Sequence, residues 1–99
     1  MTTEQSNNEN TLTGVIVHVV DYTSGDPVNN AEVTAKKKSG TDLTKTVKRT
    51  NVDGMAVFFP LDPVEYNYEI IIDGYDTVSG TFLVYAGVMT QVTVRLRRS

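Results

Sequence analysis

His18 is the only histidine in this chain and the one side chain whose ordinary pKa suits proton transfer near neutrality. It sits in the run Ile16-Val17-His18-Val19-Val20-Asp21. Hydrolysis by an activated water needs a base and also a group that steadies the developing charge, and His18 offers only the first. Serines, threonines and acids are plentiful, yet any triad would have to be built on His18 alone. The acids Asp21, Asp26, Asp53, Asp73 and Asp76 carry oxygens that a calcium ion accepts. Their spacing matches no calcium loop, so they read as solvated turn residues. Without cysteine, neither a disulfide nor a thiolate metal site can form. Glycine-rich phosphate cradles and Asn-x-Ser/Thr acceptors are also absent. The expectation is a protein with no catalytic residue, no cofactor and no metal: not an enzyme.

Charge is segregated along the chain. Lys36, Lys37, Lys38, Lys45, Lys48 and Arg49 fall within fourteen residues, whereas Asp53 to Asp76 holds six acids and no base. Arg95, Arg97 and Arg98 close the chain. Solvated faces at opposite ends explain this distribution, and a docking surface for an acidic partner or for phosphates is the sharper alternative. Nucleic acid is not expected as a partner, because no aromatics are interleaved with these bases and the net charge is -3. No apolar run approaches the roughly 20 residues that cross a bilayer, and the polar start MTTEQSNNEN has no leader pattern. A soluble protein without signal peptide or membrane partner is expected, cytoplasmic until it joins an assembly such as a virion.

The elements that would carry these side chains are strands. From Leu12 onward, short apolar runs alternate with turn signals and no helical period persists. The pattern predicts strands at 12–21, 31–37, 45–50, 55–59, 65–73, 77–85 and 88–97. They are punctuated by Ser24-Gly25-Asp26-Pro27, Ser39-Gly40, Asn51-Val52-Asp53-Gly54, Pro60 and Pro63, and Asp73-Gly74. The expected fold is all-β: a seven-stranded antiparallel Greek-key β-sandwich over residues 12–99, preceded by a flexible polar arm over residues 1–11.

Period-two alternation sorts side chains between faces. Thr90, Val92, Val94 and Leu96 point inward, as do Tyr66, Tyr68, Ile70 and Ile72, and then Val78, Phe82 and Val84. Gly80 leaves room for a bulky neighbour. If strands six and seven form a hairpin, their parities require the odd loop Tyr85-Ala86-Gly87. Two strands break the alternation. The first carries Val15, Val17 and Val19 on one face and Ile16, His18 and Val20 on the other. The fourth carries Ala56 and Phe58 against Met55, Val57 and Phe59. Strands apolar on both faces cover something beyond their own core, either the arm or a loop of this chain or another protein.

Three stretches carry a family resemblance: Val19-x-Asp21-x-x-x-Gly25-x-Pro27-Val28-x-x-Ala31-x-Val33, Thr50-x-x-Asp53-Gly54-x-Ala56-x-Phe58-x-x-Leu61, and Tyr66-x-Tyr68-x-Ile70 with Gly74-Tyr75. In this order they resemble the transthyretin-like and carboxypeptidase-regulatory-like β-sandwich domains, mainly at core and turn positions. One enzyme of that superfamily, hydroxyisourate hydrolase, has a first strand similar to residues 16–21. Its site also needs an arginine where this chain has Met55, a second histidine, and a Tyr-Arg-Gly-Ser end where this chain reads Leu96-Arg97-Arg98-Ser99. It is therefore the remote alternative. The collagen-adhesin B-type domains, also similar, crosslink a first-strand lysine to a last-strand Asn or Asp. Strand 12–21 has no lysine and strand 88–97 neither Asn nor Asp, so no isopeptide bond is expected.

The functional expectation is a structural or interaction module, an accessory subunit docked on a larger assembly such as a virus capsid or tail. Its protein interface would be Ile16, His18, Val20, Met55, Val57 and Phe59, with a protein partner or a second copy. The alternative is an adhesion domain that binds carbohydrate or protein through loops 22–30, 38–44 and 73–76, where Tyr22 and Tyr75 offer aromatic faces.

Overall fold

The computed structural model describes residues 12–41 and 44–99, so the arm expected at residues 1–11 lies outside the described residues. Seven strands form: β1 (Gly14–Asp21), β2 (Glu32–Lys37), β3 (Lys45–Arg49), β4 (Met55–Phe58), β5 (Glu65–Ile71), β6 (Val78–Leu83) and β7 (Met89–Leu96). They make a three-stranded sheet of order β4-β1-β7 and a four-stranded sheet of order β3-β2-β5-β6. Every expected strand is present with ends shifted by a few residues, and no helix occurs among the described residues.

The core is the inward half of each alternation. Val15, Val17 and Val19 of β1, Phe58 of β4 and Leu96 of β7 close against Val33 of β2 and Ile70 of β5, and all are buried. Branched side chains suit this role, since they pack on a pleated surface with little rotamer freedom to lose. Tyr66 and Tyr68 flank Phe82 with ring centroids 5.6 and 5.9 Å away. Gly80 faces Tyr68 across the β5–β6 ladder, and a methyl placed on it would fall 2.7 Å from the tyrosine hydroxyl oxygen. The missing side chain is the space the tyrosine ring occupies.

Pairing departs from the sequence reading in one place. β6 and β7 do not form a hairpin: β6 is an edge of the four-stranded sheet, and β7 pairs with β1 in parallel. The parities of both strands are as expected, but parity names a face and not a partner. Tyr85-Ala86-Gly87 therefore carries the chain from one sheet to the other. Thr13 anchors that crossover by accepting the Gly87 N–H at 2.8 Å. The remaining ladders are antiparallel.

Two local devices fix the layers. Gly54 adopts φ +77°, and a methyl there would lie 2.5 Å from the Val19 carbonyl oxygen. Its own carbonyl accepts the Val19 N–H at 2.7 Å, so the turn into β4 needs a residue without a side chain. Thr50, buried at the end of β3, donates its hydroxyl to the Val28 carbonyl at 2.7 Å and accepts the Ala31 N–H at 2.8 Å.

Candidate interaction surface

The outer face of the three-stranded sheet collects the side chains left over by the two-faced strands. Val57 lies opposite Ile16, and Met55 opposite His18, on the β4 side. Gln91, Thr93 and Arg95 lie opposite Ile16, His18 and Val20 on the β7 side. At the lower end of this face Gly14 has no side chain, and Met89 and Phe59 close over it: the Met89 sulfur and Phe59 Cβ lie 3.1 and 3.3 Å from where its methyl would be. Ile16, Met55, Val57, Phe59 and Met89 thus form one apolar strip, edged by Gln91, Thr93 and Arg95. Val57 is 48% and Phe59 47% exposed.

Five of the six residues expected at an interface are at least partly accessible on this face. Val20 is 7% exposed and already covered within the domain, so it has little surface to give. Met89 was missed by the sequence reading. The signal was its parity with Gln91, which places it on the outer face next to the one glycine of β1. His18 stands between Met55 and Thr93, neither of them an acid or a base.

The opposite case is Asp21, expected as a solvated turn acid and found 3% exposed. One carboxylate oxygen accepts the N–H groups of Thr23 and Ser24 at 2.8 and 3.0 Å. The other accepts the Tyr75 hydroxyl and the Arg98 Nε–H, both at 2.9 Å. The Ser24 N–H, then the Tyr75 hydroxyl, outweigh burial and hold the carboxyl well below the usual carboxylate range; Thr23 and Arg98 add to this. Tyr75 in turn is pushed above the ordinary phenol range, because its proton serves Asp21. Arg97 lies 3.8 Å over the Tyr22 ring. Main-chain bonds complete the fastening: Tyr22 N–H to Leu96, Asp76 N–H to Arg97 and Ser99 N–H to Gly74 carbonyls. This cluster ties the chain's last residues to two loops, with every strong acceptor of Asp21 engaged.

That fastening also settles which loops meet. Loops 22–30 and 73–76 come together around Asp21. Loop 38–44, of which residues 42 and 43 lie outside the described residues, leaves β2 at the far end, where the Lys38 N–H bonds the Glu65 carbonyl. The three loops thus do not form one surface, and Tyr75 is engaged with Asp21. The basic segment is partly neutralised by Lys37–Asp62 at 2.6 Å, Lys38–Glu65 at 3.5 Å and Arg49–Glu32 at 3.5 Å. Among the described residues no three His, Cys, Asp or Glu side chains converge as a metal-binding group, and no helix is long and apolar enough to cross a membrane.

A family model described as a DR_A0283-like, Ig-like domain matches residues 8–98. Among solved structures, the group B streptococcus pilus 2b backbone protein superposes with a TM-score of 0.75 at 13% identity, covering 89% of this chain and 42% of that one. The Bacillus anthracis TIE protein superposes with a TM-score of 0.70 at 22% identity, covering 88% of this chain and 18% of that one. This chain therefore spans less than half the length of either neighbour. No curated protein matches the sequence. The chain belongs to the DR_A0283-like family of Ig-like domains.

Proposed function

As a member of that Ig-like family, the chain is, we propose, a non-enzymatic structural module that docks in a larger protein assembly through the outer face of its three-stranded sheet. Residues 12–99 act as the unit, in a subtype akin to the transthyretin-like and carboxypeptidase-regulatory-like domains. The observation that carries this reading is the contrast between the two outer faces. The four-stranded sheet shows water mostly polar side chains, such as Glu32, Thr34, Lys36, Asn67, Glu69 and Thr81, and its exposed Val47, Ile71 and Leu83 are scattered, each the ladder partner of a polar residue. The three-stranded sheet instead shows Ile16, Met55, Val57, Phe59 and Met89, with His18, Gln91 and Thr93 beside them. A contiguous apolar strip rimmed by polar groups is the usual form of a protein contact site.

The pilus backbone neighbour supports a building-block or accessory role in a surface assembly, and a capsid or tail decoration subunit is another form of the same role. The test is a photoreactive side chain at residue 57 and, in a second variant, at residue 81 on the opposite sheet. Crosslinking from residue 57 to a single protein, abolished by Phe59→Asp, is the expected result. Equal labelling from both positions, or labelling from 57 that survives Phe59→Asp, would refute the docking face.

A further inference from the structure

The opposite face has a different composition. Across the four-stranded sheet, the paired positions Lys45, Lys36, Asn67 and Thr81 form one continuous row, each residue the ladder partner of the next. Every side chain in that row can donate a hydrogen bond. The neighbouring row contributes Thr34, Glu69 and Ser79. Together these rows line a groove of about 460 Å³.

The two lysines are the informative pair. Lys36 and Lys45 are directly opposed on antiparallel strands, an arrangement of like charges that destabilises a sheet. Lys37, Lys38 and Arg49 each have a carboxylate partner. Lys36 and Lys45 have no ion pair among the described residues, and Glu69, the acid of the groove, stands in the adjacent row, diagonal to Lys36. Two ammonium groups therefore reach a groove otherwise lined by hydroxyl and amide groups, Gly80 and the single carboxylate of Glu69.

We infer that this groove binds a carboxylated polysaccharide, its uronate carboxylates on Lys36 and Lys45 and its hydroxyls on Asn67, Thr81, Thr34, Ser79 and Glu69. The chemistry of the face selects this class. On a sheet face the main-chain groups are used in the ladders, so a peptide cannot add to it as a strand. Hydroxyl and amide side chains beside a carboxylate match a ligand rich in hydroxyls, while a neutral glycan would leave the lysines uncompensated. Four strands at about 4.8 Å spacing give the row a span of about 14 Å, long enough for several sugar units. The site is on the face opposite the proposed docking strip and does not depend on it.

The test is titration of the full chain with oligogalacturonate at low ionic strength, beside the matched neutral oligosaccharide and polyaspartate. The expected result is saturable binding of oligogalacturonate only, weakening as salt is raised. Lys36→Gln and Lys45→Gln should each weaken it at least tenfold without lowering the thermal midpoint, since each removes a repulsion. Thr81→Val should weaken it with the net charge unchanged, and Lys48→Gln, outside the groove, should leave it intact. Absence of binding, equal binding of polyaspartate, or equal losses for Lys48→Gln and Lys36→Gln would each overturn the assignment.

Discussion

Replacing Thr50 by valine changes one buried hydroxyl to a methyl and almost nothing in shape. The loss is nonetheless expected to be large, because that hydroxyl serves two main-chain groups at once. It donates to the Val28 carbonyl at 2.7 Å and accepts from the Ala31 N–H at 2.8 Å, and both residues are buried. An unsatisfied buried polar group costs about 1–3 kcal/mol. With partial relaxation toward the exposed Asn29 and Asn30, the two together amount to about 2–4 kcal/mol. For a domain of this size that is a fall in Tm of roughly 10–25 °C. Thr50→Ser keeps the hydroxyl and removes one methyl, which costs only about 1 kcal/mol. Urea unfolding followed by circular dichroism measures both variants. A valine variant within about 0.5 kcal/mol of the parent, or a serine variant equally destabilised, would refute the role assigned to the hydroxyl.

Asp21 has a folded pKa below its unfolded value of 3.8, so its stabilising contribution is complete above about pH 4 and is lost as pH falls below that value. Urea midpoints measured from pH 7 down to pH 2 should show this acid limb, and Asp21→Asn should flatten it while lowering stability at neutral pH. Gly54→Ala combines φ +77° with a 2.5 Å approach to the Val19 oxygen, so it should cost at least about 2 kcal/mol. Gly25→Ala, at φ +78° with open space around it, should cost only about 1 kcal/mol in the same chemical melts. Thr90 carries a buried hydroxyl without a partner among the described residues, so Thr90→Val should stabilise by about 1 kcal/mol, read as a higher Tm.

Strand positions and faces were legible in the sequence because burial leaves a period of two, and β7 shows it plainly from Thr90 to Leu96. The space at Gly80 and the turn at Gly54 were legible for the same reason: a residue without a side chain marks where another group must go. The adjacency of β1 and β4, with Val57 opposite Ile16 and Met55 opposite His18, is written in neither strand's own alternation. The partner of β7 was not legible, since a strand's own alternation is unchanged whether its neighbour is β6 or β1. Nor was the burial of Asp21, whose donors Tyr75 and Arg98 lie 54 and 77 residues away in the chain. The residues of the apolar strip on β1 and β4 were read from the broken alternation of those two strands, but Met89 joined them only once Gly14 and Phe59 were placed beside it.

The parallel register of β1 and β7, eight residues against eight, has a mechanical meaning. The chain enters β1 at one pole of the sandwich and leaves β7 at the other, so tension between its two ends runs along the ladder that joins those strands. All the rungs then resist shear together instead of opening one after another, as they would if the strands were antiparallel neighbours pulled from the same end. A module wired this way transmits load along the β1–β7 direction, and single-molecule extension through residues 14 and 96 should show a higher rupture force than extension through residues 32 and 49, across the open end of the β2–β3 pair.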